Sequence, residues 1–412
     1  MKLLNKIRKK GMKKCLIAIE RRIIRYCNHF MFKWYLNIPI ENNSIVLESE
    51  GDCCDNAFAL YDYMKKNDYL KKYKITWLVD HPERFKEKEN VVFLQKQIYL
   101  IFSPKTIRAL RTCKWYIYDH CNIMADYYKR EGQQLIYLSH GWGYKVSKGG
   151  NIEKSKSRFD FMTATGELSA KGLSEYWHTP IDKTIITGYP RLDYLFNSNS
   201  EINRKINSHW PFEQYKKVIF WMPTFRQSIN KELSEEYNQT ETGLPLFNTI
   251  NSLLSFDDFL NYKEVLMVFK LHHLQLELPV FSMTFKNIII LRDENLLNSG
   301  IQLYQLLQKS EVLISDYSSI AIDYLVTDRP IIYTLDDYEE YNKSRGLFPA
   351  NAIDYMPGYH VYSIKELKES IDEILSGEDR YREERKQIVN KYHRYTDGNS
   401  SERVLKQFGI IK

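Results

Sequence analysis

The sequence contains no complete G-x-G-x-x-G, which argues against a nicotinamide or flavin enzyme. It contains no G-x-x-x-x-G-K-[ST], which argues against a P-loop nucleotidase. No D-x-D stands in an obvious strand context, so the usual metal–nucleotide signal of nucleotide-sugar transferases is missing. The six cysteines, at 15, 27, 53, 54, 113 and 121, form no C-x-x-C pair and no zinc spacing. They read as buried or idle thiols of a reducing cytosol rather than as a disulfide framework. No apolar run approaches the ~18–20 residues of a membrane-spanning helix. Charges interrupt the N-terminus throughout, which excludes the apolar core of a signal peptide.

What is present is a chain of 412 residues, 43% hydrophobic, with 31 Tyr and 20 Phe. That length favours two domains, and the composition favours a folded chain over a disordered one. The net charge of +7 is unevenly placed. Residues 1–35 hold eleven Lys or Arg against one acid, Glu20, and the remaining chain is close to neutral. In that segment Leu4, Ile7, Met12, Leu16, Ile19, Ile23, Cys27, Phe30 and Trp34 recur near helical spacing. Two readings fit: a basic amphipathic helix lying in an anionic membrane surface, or a helix packed on the body with a solvated basic face. Nucleic acid is not expected, because the first 25 residues have little aromatic interleaving and no recognised nucleic-acid module follows.

Further on, short apolar runs alternate with helical patterns. Strands are predicted at 44–48, 75–79, 91–94, 115–118, 134–138, 161–164 and 184–187, with helices at 56–66 and around 107–112. A second series of strands is predicted at 217–221, 265–269, 288–291, 312–314 and 331–333. Alternation of this kind implies parallel sheets with helices on their faces. Residues 197–214 are polar without clear periodicity and read as a linker, 228–244 as a mobile acidic loop, and the tail from 364 as helices.

Four places carry chemistry. Ser139-His140-Gly141-Trp142-Gly143-Tyr144-Lys145 follows a strand, so His140 stands at its carboxyl end, where α/β sheets place their crevice; a turn-capping histidine is the plainer alternative. Met222-Pro223-Thr224-Phe225-Arg226 follows another strand, and its always-charged guanidinium suits phosphate, or is a surface arginine. Lys270-Leu271-His272-His273 follows a third; two adjacent histidines on an extended chain are expected to point apart and make a poor chelate. Residues 311–346, EVLISDYSSIAIDYLVTDRPIIYTLDDYEEYNKSRG, read as strand, polar turn, helix and strand. The turn Ser315-Asp316-Tyr317-Ser318-Ser319 is either a well-capped helix start or a phosphate site of hydroxyls and backbone N–H groups.

The run LISDYSS, its apolar helix, RPIIY and the Tyr- and acid-rich segment ending in RG resemble the C-terminal signature of the CDP-glycerol glycerophosphotransferases. These bacterial enzymes build teichoic-acid-like and capsular polyol-phosphate polymers. The likeness covers roughly 44–385. His140, Gly141 and Lys145 match the family's His-Gly-Thr-Pro-x-Lys, with Trp142 and Gly143 in place of Thr-Pro. GYPRLD at 188–193 is similar to its GxPRxD turn, Thr224 and Arg226 to its Pro-Thr-x-Arg, and His272 to the His of its His-Pro, with the role of His273 left open.

The resemblance implies a GT-B-like α/β fold: two Rossmann-like domains with parallel sheets facing a central cleft. Together with the charge and periodicity of the chain, it suggests a membrane-contacting segment at 1–35, an acceptor domain at 36–196, a linker at 197–214, a CDP-glycerol domain at 215–385 and a C-terminal helix at 386–412. It implies transfer of glycerol phosphate, or a related polyol phosphate, from CDP-glycerol to a hydroxyl of a lipid-linked or polymeric acceptor, with release of CMP. No cofactor and no metal are required, and the enzyme works peripherally at the cytoplasmic face of the membrane. His140 serves as base and His272 as the second catalytic histidine, touching donor phosphate. Lys145, Thr224, Arg226, Ser318 and Ser319 bind substrate, while Asp316 caps the helix or orients a neighbour, since a bare carboxylate repels phosphate. Two rivals remain: a GT-B glycosyltransferase using a nucleotide sugar, and a non-catalytic scaffold of a polymer-synthesis complex.

Overall fold

The computed structural model describes residues 12–97, 101–120, 129–146, 159–227 and 240–412. The expectations for residues 1–11 and for the loop at 228–239 lie outside these. Two compact units divide the chain: Met1–His140 with Ser157–Met162, and Gly141–Lys156 with Thr163–Lys412.

The first unit is built on parallel strands β1 (Glu41–Glu48), β2 (Lys74–Val79), β3 (Val91–Gln95), β4 (Cys113–Tyr118), β5 (Gln134–Tyr137) and β6 (Phe161–Ala164), in the order β3-β2-β1-β4-β5-β6. β6 runs across the division of the chain. Residues Ile45, Leu47, Ile75, Trp77 and Ile117 are fully or almost fully buried, as apolar runs covered on both faces of a parallel sheet require. Helices Asp55–Lys66 and Pro104–Thr112 provide crossovers.

The helix Met12–Lys33 docks through one edge. Asn28 Oδ1 accepts from Phe102 N at 3.4 Å, and Phe32 meets Phe102 edge to face at 5.9 Å. Its other side leaves Ile19, Ile23, Tyr26 and Phe30 exposed at spacings of three and four, one helical face, and the exposed Trp34 follows in the turn just past its end.

The second unit holds a short strand β7 (Thr184–Ile186) and a parallel sheet of β8 (Lys217–Trp221), β9 (Val265–Phe269), β10 (Ile288–Ile290), β11 (Val312–Ser315), β12 (Ile331–Thr334) and β13 (Tyr359–Val361). Its order is β10-β9-β8-β11-β12-β13. A core of Trp221, Phe247, Phe256, Met267, Phe269 and Ile314 fills one face. In both sheets the chain starts centrally, winds outward, then returns to wind the other way. That is the 3-2-1-4-5-6 order, which β7 extends by one strand beyond β6 in the first sheet, and its reversal point is the ligand crevice.

The division by compactness falls elsewhere than the expected domain limits. Residues 163–196 are fastened to the tail: Thr165 Oγ1 donates to Tyr392 O at 2.7 Å, and the Asp193 carboxylate accepts from Ser400 N and Ser401 N at 2.8 Å each. Residues 197–214 include a helix, Ser200–His209, whose N-terminal N–H groups of Glu201 and Ile202 donate to Asn199 Oδ1. Only Ile202 and Ile206 mark its inner side, which is why the segment reads as featureless. The tail beyond Leu375 is two helices, Arg382–Tyr392 and Ser400–Gln407, separated by a turn with Gly398 at φ +70°.

Candidate active site

In the first unit three strand ends converge. β1 runs into Ser49-Glu50, β4 into Asp119-His120 and β5 into Leu138-Ser139-His140. β1 and β4 flank the reversal point of the sheet. Buried groups fix these exits. Asp119 accepts from Glu50 N at 3.2 Å and from Ala57 N at 2.9 Å, which ties the exit of β1 to the start of the next helix. Asn56 Nδ2 donates to Ser139 O at 2.9 Å, and Ser139 itself is buried with φ +65°.

On this frame the tips are solvent-facing. His140 Nδ1 lies 3.5 Å from Glu50 Oε2 and 3.5 Å from Asp55 Oδ2. His120 Nε2 lies 3.6 Å from Glu50 Oε1, and the two imidazoles meet edge to face at 5.0 Å. Burial pushes the His120 imidazole below its ordinary pKa, with Glu50 opposing and His140 assisting. His140 was legible in the sequence; Glu50, Asp55 and His120 were not singled out. The strand-end rule that pointed to His140 applies equally to Asp119-His120 after the strand at 115–118.

In the second unit the exits of β8 and β11 flank the other reversal point, and they carry Thr224, Arg226, Asp316, Ser318 and Ser319. Asp316 is fully buried and orients its neighbours: it accepts from Thr224 N at 2.9 Å, from Thr224 Oγ1 at 2.7 Å and from Arg226 Nη1 at 2.6 Å. Arg226 is also fully buried, and its partners are carboxylates rather than solvent-facing space. Nε and Nη2 fork onto Asp337, the second at 2.9 Å, and Nη1 also donates to Thr224 O. Burial alone would lower the guanidinium pKa; Asp316 and Asp337 outweigh it and hold the group well above its ordinary value. Tyr317 donates to Asp337 Oδ1 at 3.0 Å and stacks on Tyr341 at 4.0 Å. Ser318 and Ser319 are half-buried, and Ser318 makes no side-chain cap hydrogen bond.

His272 is exposed after β9, with its ring 4.9 Å from Phe225 and its Nδ1 accepting from Leu274 N at 3.3 Å. His272 and His273 do not point apart as expected. The chain turns after Leu271, and the rings stack at 4.3 Å.

Gly141 to Lys145 lies along the β11 exit. Tyr144 N donates to Tyr317 O at 3.2 Å, and Lys145 bridges Leu347. A Cβ on Gly143 would collide with Tyr317 O and Ser319 N, so only glycine allows this approach. Gly141, at φ +93°, lies against Ser319 and the buried Arg191. Trp142 packs its indole over Gly172 and against Phe348. The departure from Thr-Pro at 142–143 thus has a packing reason.

Two α/β units, each with polar side chains gathered where its parallel sheet reverses, define a GT-B-like α/β fold. The chain belongs to the CDP-Glycerol:Poly(glycerophosphate) glycerophosphotransferase family, which it matches over residues 29–408. It is 25% identical over 94% of its length to the teichoic acid poly(ribitol-phosphate) polymerase of Bacillus spizizenii, of which it spans 60%. It is 26% identical to the teichoic acid glycerol-phosphate primase of Bacillus subtilis, with 77% of each chain covered. Among solved structures it resembles the wall teichoic acid polymerase TagF, here an H444N variant with CDPG, at TM-score 0.75 and 19% identity over 97% of both chains.

Proposed function

We propose that this enzyme transfers glycerol phosphate, or a related polyol phosphate, from a CDP-polyol to a hydroxyl of a cell-wall polymer or primer and releases CMP. One observation carries the reading: a family match over residues 29–408 together with an intact Pro-Thr-x-Arg and Ser-Asp-Tyr-Ser-Ser pair at the reversal point of the second sheet. Phosphoryl transfer asks a protein for positioning and charge more than for covalent work. In this reading Ser318, Ser319, His272 and Lys145 contact the pyrophosphate. Arg226 is a positioning residue: with Asp316 and Asp337 it fixes the two loops that present Thr224 and the serines.

His140 is the base that takes the acceptor hydroxyl's proton. Glu50 and Asp55 face its Nδ1 and favour the proton there, which leaves the lone pair on Nε2. The transfer runs on side chains without a resident cofactor. The acceptor is lipid-linked, and the enzyme meets it at an anionic membrane surface. The exposed row Ile19, Ile23, Tyr26, Phe30 and Trp34, beside Arg21 and Arg22, suits that interface. Among the described residues no helix is long and apolar enough to cross a membrane.

The test is CMP release from CDP-glycerol and CDP-ribitol with a lipid-linked acceptor. CMP release supports the reading. No turnover with either donor, but UDP release from a sugar nucleotide, replaces it with a glycosyltransferase.

A further inference from the structure

We propose that Glu50, His120 and His140, with Asp55 beside them, bind a divalent transition-metal cation of the zinc type, and that a cation held there takes His140 out of base catalysis. Two imidazoles and a carboxylate are a donor set that suits Zn²⁺ with one position left open. One ligand atom from each of the three residues lies within 4.8 Å of the others. The spacing fits a shared ion better than direct bonding. His140 Nδ1 is 3.5 Å from oxygens of both Glu50 and Asp55, and His120 Nε2 is 3.6 Å from the other Glu50 oxygen. Hydrogen bonds of this type run at about 2.7–3.2 Å. Metal–ligand bonds of about 2.0–2.1 Å set tetrahedral ligand atoms roughly 3.4 Å apart.

The frame beneath is rigid. Each ligand follows a strand of one sheet or starts the adjoining helix, and Asp119 and Asn56 lock those exits by buried hydrogen bonds. A site that keeps its ligands in place before the ion arrives loses little ordering entropy on binding.

The consequence follows from imidazole chemistry. A cation on Nδ1 leaves the ring's proton on Nε2. That nitrogen then has no lone pair for the acceptor hydroxyl, so occupancy and base catalysis exclude each other. This half rests on the base role proposed above; the binding half does not.

The experiment uses the full, metal-free chain with its thiols reduced. Co²⁺ is titrated first, since its visible absorption reports tetrahedral coordination, and Zn²⁺ then competes. His120→Asn and Glu50→Gln are measured alongside; both side chains face solvent, and a thermal melt checks folding. The expected result is one tight equivalent of Zn²⁺ that raises the melting temperature of the wild type. Loss of either ligand should weaken it by about 100-fold or more, at least the effect of losing an outer-shell partner. Zn²⁺ should inhibit CMP release, at a concentration that rises by the same factor in the variants.

Zn²⁺ affinity unchanged in both variants, or binding lost only on thiol alkylation, overturns the site. CMP release undiminished at full Zn²⁺ occupancy overturns the exclusion of base catalysis. Zn²⁺ bound as expected by a chain that turns over no CDP-polyol overturns the functional reading and leaves the metal site standing.

Discussion

Arg226 Nη1 lies 2.6 Å from Asp316 Oδ2, and both side chains are wholly shielded from solvent. With Asp337 as second partner, the guanidinium is the centre of a buried charge triad. Removing it strands two carboxylates, which costs about 3–5 kcal/mol for breaking a buried pair. Arg226→Ala should therefore lose stability of that order in urea denaturation, and Arg226→Lys should recover little, because an ammonium lacks the fork. A variant of full stability with weakened donor binding would instead return Arg226 to direct phosphate contact.

His140→Ala should lower CMP release by about 10²–10⁴, the usual contribution of a general base. Donor affinity by calorimetry should stay within about twofold, since the base acts on the acceptor hydroxyl. Equal loss of binding and turnover would assign His140 to donor recognition.

Gly143→Ala drives a methyl into Tyr317 O and Ser319 N. Overpacking of this kind costs about 1–3 kcal/mol. The backbone struck carries Ser318 and Ser319, so the KM for the donor should rise more than kcat falls. The measurement is a steady-state comparison of wild type and variant at saturating acceptor.

Asp193 gives a pH signature. Burial raises its pKa above the ordinary carboxylate value, against the hydrogen bonds from Ser400 and Ser401 that lower it. The folded chain therefore holds a proton there that the unfolded chain has released, and stability falls as pH rises through that window. Asp193→Asn removes the titration. As pH falls toward the ordinary carboxylate pKa, the wild type should gain melting temperature relative to the variant.

Ile23→Glu or Phe30→Glu should reduce co-sedimentation with anionic vesicles. Burying one such side chain contributes about 1.5–3 kcal/mol, so each change should lower partitioning by roughly tenfold or more. Both residues are exposed, and circular dichroism should be unchanged.

Strands were legible because both faces of a parallel sheet are buried. Val265–Phe269, five apolar residues in a row, can hardly be anything else in this setting. β13 was missed because Tyr359-His360-Val361 is short and broken by a polar residue, where the equally short Ile288–Ile290 is wholly apolar. Residues placed by one strand end, such as His140 and Asp316, were found from local order. Partners assembled across the sheet were not: Glu50 and His120 lie 70 positions apart, and no spacing rule joins them. Arg226 was recognised as a residue that matters, but its enclosure by Asp337, 111 residues away, is a tertiary fact. His272 and His273 stack because the chain turns where extended backbone was assumed.

The fastening of Thr165 to Tyr392 spans 227 residues of chain. On a ribosome, residues 163–196 emerge long before the segments that close over them. Domains fold as units during synthesis, at about 5–20 residues per second. The second unit would therefore wait for tens of seconds with Thr165, Asp193 and their surroundings uncovered. Until then it would hold open a place for the helices that close over it.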